Sequence, residues 1–323
     1  MKPAIFAAVV VMMAAMPAHA ADRIVIKVGY SPGGAYDQKS RLVATHLGRL
    51  LDGNPEIIVE NVPGAGSLKL AKLFQKSGAT DGSEIAVIGS ALALRPVFKP
   101  EDGNFDPRNV NYIAATSNEG SYCVTFKGSG IDSFEKLLAS DAKVGATGKS
   151  STTYTFPAAI KSAYGASFQV LPGFGGGEEI FLAMERGDVD ARCGTSPSAL
   201  LTRNLVDRMN ILAEIALEPK KRFGETPFVL GLAPKDKKAA LALVIASTEI
   251  HHPFVLHGNT DPEIVQTYRN AFMALAQDKE FLADAERRGI LLGITPGDMV
   301  ETIIDDLLAS PADVKEQARN MVK

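Results

Sequence analysis

The chain has 323 residues, of which 46% are hydrophobic and 22% charged, with a formal net charge of -3. This composition excludes a disordered or collagen-like chain, and the length suffices for about two domains with their own cores. A mildly acidic balance without a long basic run argues against nucleic acid as a partner.

The first element in chain order is a targeting segment. Lys2 supplies a minimal positive start, residues 4–16 are apolar and uncharged, and Ala18-His19-Ala20 has a small-x-small cleavage pattern. Residues 1–20 read as a secretory signal peptide. The apolar run is too short to span about 30 Å of hydrocarbon. No cysteine follows the cleavage site, and the Arg287-Arg288 pair lies far away. A lipid anchor and twin-arginine export are therefore not expected. The mature chain, starting near Ala21, carries 33 basic against 37 acidic residues, a net charge of -4. In an oxidising compartment Cys123 and Cys193 are expected to pair as one disulfide; the alternative is two separate buried thiols.

Strand and helix patterns then alternate. Residues 24–28, 57–59 and 84–88 read as strands, with helices over 37–51 and 67–76 between them. This order predicts a parallel sheet with helices on both faces. A second series follows: strands over 122–126, 143–147, 168–171, 189–193 and 211–214, and helices over 133–140, 152–164, 178–186 and 197–205. The last third is mostly helical. Asp261-Pro262 and Ser310-Pro311 mark helix starts with proline at the first position. Too few strands accompany these helices for a separate domain, so they are expected to return and cover the first sheet.

In open α/β sheets, ligands bind beyond the carboxyl ends of the strands. The loops there are rich in Gly, Ser and Thr. They are Gly29-Tyr30-Ser31-Pro32-Gly33-Gly34-Ala35-Tyr36-Asp37, Asn61-Val62-Pro63-Gly64-Ala65-Gly66-Ser67, Gly89-Ser90, Thr147-Gly148-Lys149-Ser150-Ser151-Thr152-Thr153 and Pro172-Gly173-Phe174-Gly175-Gly176-Gly177. Glycines allow close backbone approach, and hydroxyls with free N–H groups at helix N-termini favour anions. Two such sets predict a cleft that grips a small anion from both sides. Turn and cap residues alone would produce any single loop of this kind. Asp37 is expected to cap its helix, and Glu178 and Glu179 to complement the dipole of theirs. Arg192 could neutralise a carboxylate or form a structural ion pair.

Enzyme motifs are incomplete. Gly148-Lys149-Ser150 ends like a phosphate-binding loop, but Lys143 stands where its first glycine belongs. Gly173-Phe174-Gly175-Gly176 lacks the last glycine of a dinucleotide loop, which is Glu178 here. His251-His252 lacks zinc-helix spacing, and no Gly-x-Ser-x-Gly elbow occurs. No catalytic residue, metal or cofactor is expected.

Several segments resemble the extracytoplasmic solute receptors of tripartite tricarboxylate transporters, the Bug or TctC type. They are Ser31-Pro32-Gly33-Gly34-Ala35-Tyr36-Asp37, Val59-Glu60-Asn61-Val62-Pro63-Gly64-Ala65-Gly66-Ser67, Asp81-Gly82, Leu182-Ala183-Met184-Glu185-Arg186-Gly187-Asp188-Val189-Asp190, Pro197-Ser198-Ala199-Leu200 and Ala276-Gln277-Asp278-Lys279-Glu280-Phe281-Leu282. The resemblance covers nearly the whole mature chain. It implies a type II-like Venus flytrap of two α/β domains with doubly wound, mainly parallel sheets and crossing hinge strands. The first domain would comprise 21–121 and 229–323, with 122–228 inserted. The implied role is a monomeric periplasmic receptor that binds a di- or tricarboxylate or related organic acid and delivers it to membrane permease subunits. The implied ligand residues are Tyr30, Ser31, Gly33, Gly34, Ala35 and Asp37 in the first domain and Thr147, Gly148, Lys149, Ser150, Ser151 and Thr152 in the second. Ser67, Ser90, Phe174, Gly175 and Ser196 are secondary. Lys149, unusual in its loop, is expected to attract a second carboxylate. A sensory receptor on the same fold and a secreted α/β hydrolase are the alternatives.

Overall fold

The structure, a computed structural model, describes residues 23–323. The signal-peptide reading lies outside the described residues. The strands are β1 (Arg23–Val28), β2 (Glu56–Asn61), β3 (Glu84–Val87), β4 (Val110–Ser117), β5 (Ser121–Phe126), β6 (Lys143–Ala146), β7 (Gln169–Pro172), β8 (Ala191–Thr195), β9 (Met209–Ile215), β10 (His251–His257) and β11 (Thr295–Pro296). The helices of the first half are α1 (Ala35–Leu47), α2 (Leu68–Ser77), α3 (Arg95–Phe98), α4 (Phe134–Ala139) and α5 (Thr152–Tyr164). Then come α6 (Gly177–Arg186), α7 (Pro197–Leu201), α8 (Val229–Leu232), α9 (Lys235–Ile245), α10 (Pro262–Leu275), α11 (Lys279–Arg287), α12 (Gly297–Leu308) and α13 (Ala312–Met321). None of the described helices is long and apolar enough to cross a membrane.

Two sheets form, in the orders β11-β4-β10-β3-β1-β2 and β7-β6-β8-β5-β9. Both are mixed rather than mainly parallel. In the first, β1 pairs in parallel with β2 and β3, whereas β10 runs antiparallel to β3 and β4. In the second, β6 is parallel to β7 and β8, and β5 antiparallel to β8 and β9. The crossing strands cause the mixture. β5 enters the second sheet directly after β4 leaves the first, and β10 returns to the first after β9. A strand arriving from the other lobe needs no helical crossover, so antiparallel pairing is open to it.

β1 alternates outward and inward, burying Ile24, Ile26 and Val28. α1 buries Leu42, Val43 and Leu47 over that face, and Phe254, Phe272 and Phe281 complete this core. The second sheet packs Val144, Ala191 and Leu212 against Phe156 and Ile160 of α5. Cys123 and Cys193 lie on neighbouring strands of that sheet and form the disulfide.

α10, α11 and α12 cover the first sheet, but the rest of the C-terminal region does not follow. Ala240, Leu241 and Val244 of α9 and Ala318 and Met321 of α13 share a core with Phe156, Ile160 and Val97. Their apolar faces find the exposed side of α5, so α9 and α13 bridge the two halves rather than completing the first.

The β4–β5 crossing carries a buried ion pair. Lys39 Nζ on α1 lies 2.7 Å from Glu119 Oε1, with side chains 1% and 6% exposed. Glu119 also accepts from Ser117 Oγ at 2.7 Å, Ser198 Oγ at 2.9 Å and Ser198 N at 3.3 Å. One carboxylate thus ties α1, the crossing and the start of α7 together.

Candidate functional site

The loop after β1 is shaped by Gly33, whose φ of 86° lies in the left-handed region, and by Asp37. Gly33 N–H donates to Asp37 Oδ2 at 2.9 Å, while Arg41 Nε (3.0 Å) and Asn61 Nδ2 (3.0 Å) donate to the same carboxylate. Burial pushes the Asp37 carboxyl up, but these donors outweigh it and hold it below its ordinary value. The helix cap is Gly34, not Asp37 as expected, because α1 begins at Ala35 and Asp37 reaches back to the loop from its third position. The first helical backbone bond runs from Gln38 N to Gly34 O. The N–H groups of Ala35, Tyr36 and Asp37 are therefore left without intrahelical partners.

Across the cleft, the loop after β6 satisfies its own hydroxyls. Thr147 N–H donates to Thr153 Oγ1 at 3.0 Å, Ser151 Oγ to Gly148 O at 2.7 Å, and Ser151 Oγ lies 2.8 Å from Thr153 Oγ1. The first turns of α1, α5 and α6 face one cleft of about 50 Å³, through Ala35 and Tyr36, Thr152 and Thr153, and Gly177 and Glu178. Tyr30, Phe181, Arg192, Ser196, Arg203, His251 and His252 also line it.

Arg192, on β8, is 7% exposed. Its Nη1 donates to Gly177 O at 3.3 Å, and its Nε has no partner among the described residues. Its guanidinium lies 4.6 Å from the centre of the Phe181 ring. Burial pushes its pKa down to about 10, so it stays charged at neutral pH. Glu178 lies in the same cleft but 2.8 Å from Arg203 Nη1. Burial raises the Glu178 carboxyl against the pull of Arg203 and Arg192. Burial also drives His251 down to about 4 and His252 well below its usual value, so both rings are neutral. Tyr30 and Tyr36 stand 4.4 Å apart, and Tyr36 and His252 4.3 Å apart. Among the described residues, no group of three or more His, Cys, Asp or Glu is placed to hold a metal.

Of the residues singled out in the sequence, the cleft brings together Tyr30, Gly33, Gly34, Ala35, Thr147, Ser151, Thr152 and Ser196. The others lie outside its lining. Asp37 is engaged in its loop, and Ser67 Oγ accepts from Gly89 N at 3.1 Å beneath it. Ser90 N–H donates to Tyr36 Oη at 3.1 Å. Phe174 packs against the second-sheet core. Lys149 and Ser150 line a separate surface pocket with Arg95, Lys99, Arg319 and Lys323, so Lys149 is not positioned to meet a second carboxylate in the cleft.

Four of these residues, Ser31, Gly148, Ser150 and Gly175, instead join the lobes. Ser31 Oγ donates to Glu179 Oε1 at 2.7 Å, and Ser31 N–H to Gly175 O at 3.1 Å. A Cβ on Gly148 would stand 2.4 Å from Gly66 N and 2.6 Å from the Ala65 carbonyl carbon. The last glycine of Asn61-Val62-Pro63-Gly64-Ala65-Gly66 thus lets the backbone of the opposite lobe approach closely at Gly148.

Sequence reasoning weighed Arg192 but left it out, and it missed Phe181, Arg203 and the histidines as lining. A lone arginine between Ala191 and Cys193 in an otherwise buried strand was the available signal.

No known protein-family profile matches the chain. It is 28% identical over 275 residues to a UPF0065 protein in the gbd 5' region of Cupriavidus necator, covering 80% of this chain and 78% of that one. A Rhodopseudomonas palustris structure with adipate matches with a TM-score of 0.71 and 15% identity, over 92% of this chain and 97% of the other. MatC from the same organism, with bound malate, matches at 0.70 and 14%, over 93% and 99%. A TctC solute binding protein from Polaromonas matches at 0.58 and 20%, over 92% and 98%. All of these solved proteins align along nearly their whole length, so the likeness extends to the complete two-sheet fold. The chain has the fold of the TctC and Bug periplasmic binding proteins, the receptors its sequence motifs resemble.

Proposed function

We propose that this protein is a periplasmic receptor that captures a small carboxylate between its lobes and hands it to a tripartite tricarboxylate-type permease. The observation that carries the reading is the convergence of three helix N-termini, from both sheets, on one cleft. Unpartnered N–H groups and aligned dipoles favour an anion there. The malate and adipate bound by two proteins of the same fold agree with that chemistry.

In this reading the lobe built on β5 to β9 is inserted into the one built on β1 to β4 and β10, and the β4–β5 and β9–β10 connections form the hinge. Ligand binds one lobe, the other closes over it, and the closed form is selected because only it contacts the ligand on both sides. The work is binding, without covalent chemistry. The receptor acts as an exported monomer.

A thermal-shift screen against mono-, di- and tricarboxylates and aromatic acids tests the reading. Binding at 100 times Kd stabilises the folded state by about 2.7 kcal/mol. No shift with any carboxylate, together with a shift from a sugar, would overturn it. Delivery is tested separately, by uptake of the identified acid into vesicles carrying the large and small permease subunits with and without the receptor.

A further inference from the structure

We propose that Arg192 is the residue that neutralises the ligand's carboxylate, and that the ligand is a monocarboxylate with a flat, apolar body. The proposal rests on the receptor reading above and narrows it to one anchor and one ligand class.

Among the described residues no carboxylate lies within ion-pair distance of the guanidinium, although nearby Glu178 attracts it. A guanidinium has five N–H donors, and the described residues give this one a single long bond, to Gly177 O. Glu178, the acid in the same cleft, stands against Arg203. Burying a charge without a partner is costly unless something else completes it. The surroundings are shaped to hold the group where it is. A Cβ on Gly177 would lie 2.5 Å from Arg192 Nη2, so glycine there lets the guanidinium sit directly beneath the first residue of α6. Phe181 packs against its other side. The cation and the α6 N-terminus therefore act on the same spot, and a carboxylate can accept two parallel bonds from the planar fork.

The side-chain charge favours a single carboxylate. The ionised side chains lining the cleft are Arg192, Arg203 and Glu178, with one positive charge left over. The two histidines add none, because burial holds them neutral. One carboxylate balances that surplus; a second would have no side-chain counter-charge. Hydroxyls of Thr147, Ser151, Thr152, Thr153, Ser196 and Thr202 line part of the cleft, but the tyrosine side is ring and methyl surface. Tyr36 Oη accepts from Ser90 N–H at 3.1 Å, and Tyr30 Oη donates to Gly66 O at 3.4 Å, so both hydroxyls are occupied away from the ligand. What the tyrosines offer is ring surface, extended by His252 and by the methyl groups of Ala35 and Ala199. That side of the cleft suits a flat apolar body, with the hydroxyls gathered on the opposite lining.

Isothermal titration of wild type, R192Q and R192K with benzoate, benzamide, malate and adipate separates the possibilities. The expected result is that wild type binds benzoate tightest, and that R192Q weakens benzoate by about 10- to 100-fold while benzamide stays within about twofold. R192K, which keeps the charge but not the fork, should recover part of the loss. It also keeps the test open if R192Q fails a ligand-free thermal-melt check of folding. An unchanged benzoate-to-benzamide ratio in R192Q would overturn the role of Arg192 while leaving the receptor reading intact. Tighter binding of malate or adipate than of benzoate by wild type would overturn the ligand class. Absence of binding by every acid to wild type would remove the receptor reading itself.

Discussion

Replacing Lys39 with methionine should destabilise the protein far more than a lysine substitution normally does. Methionine retains most of the buried stem and removes only the charge. Glu119, 6% exposed, is then left ionised among two serine hydroxyls and one backbone N–H. Removing one partner of a buried pair typically costs about 3–5 kcal/mol, because the other charge stays behind. The sign of the pH dependence should also reverse. In the wild type, burial raises the Glu119 carboxyl, but Lys39 and the serines outweigh it and its folded pKa is depressed. Its stabilisation is therefore present above about pH 4.3, the unfolded value, and lost as pH falls through the folded one. In K39M the serine donors alone no longer outweigh burial, the folded pKa rises above the unfolded value, and the penalty grows as pH rises. Urea unfolding of K39M at pH 4.5 and 7.5 measures both effects, with the larger loss expected at pH 7.5. K39M/E119Q should recover most of that loss, because glutamine keeps an acceptor for Ser198 without the charge. A loss below about 1 kcal/mol at pH 7.5, or equal losses at both pH values, would refute the account of this ion pair.

Reduction or C123S/C193S opens a loop of 70 residues and should cost up to about 4 kcal/mol in urea unfolding, on the chain-entropy model. On the proposed hinge closure, G148A should weaken ligand binding by about tenfold or more in titration calorimetry, since its Cβ would meet the Gly66 backbone in the closed form. The ligand-free melting temperature should stay unchanged. S31A removes the bond to Glu179 at the cleft's edge and should speed ligand release by less than about tenfold in stopped-flow measurements.

Much of the fold could be read from periodicity. The helix over 152–164 matches α5 residue for residue, and the three strands of the first βαβαβ run occur where the β-branched residues are. The two long strands that join the lobes were not read. β10 begins with His251-His252-Pro253, polar and proline-bearing residues that suggest a loop. It is a buried strand because its position between β3 and β4 is fixed by contacts distant in sequence. The site divided along the same line. The Gly, Ser and Thr pattern of Gly33, Gly34 and Thr152 is local, so the loops that line the cleft are legible in the sequence. Whether a loop residue faces the ligand or the other lobe depends on how the lobes meet. Hence Gly148 and Ser31 looked like ligand residues and serve as lobe contacts instead. Arg192 comes to the cleft through the register of β8, which no local pattern encodes.

On the proposed receptor role, the cleft explains how an acidic protein would attract an acid. Each helix N-terminus acts as roughly half a positive charge. α1, α5 and α6 bring three of them together, and the side chains add a net positive charge. Closing an empty cleft crowds these like charges into about 50 Å³. The contacts between the lobes that oppose this, such as Ser31 with Glu179 and Arg95 Nη1 with Ser150 Oγ at 2.9 Å, are hydrogen bonds at partly exposed positions, each worth roughly 1 kcal/mol. An anion reverses the sign of the central term from repulsion to attraction. Its charge, more than its shape, then decides whether the closed form is populated. A neutral analogue that fills the same space should therefore bind weakly and leave the lobes open, and small-angle scattering with benzoate and with benzamide would show the difference.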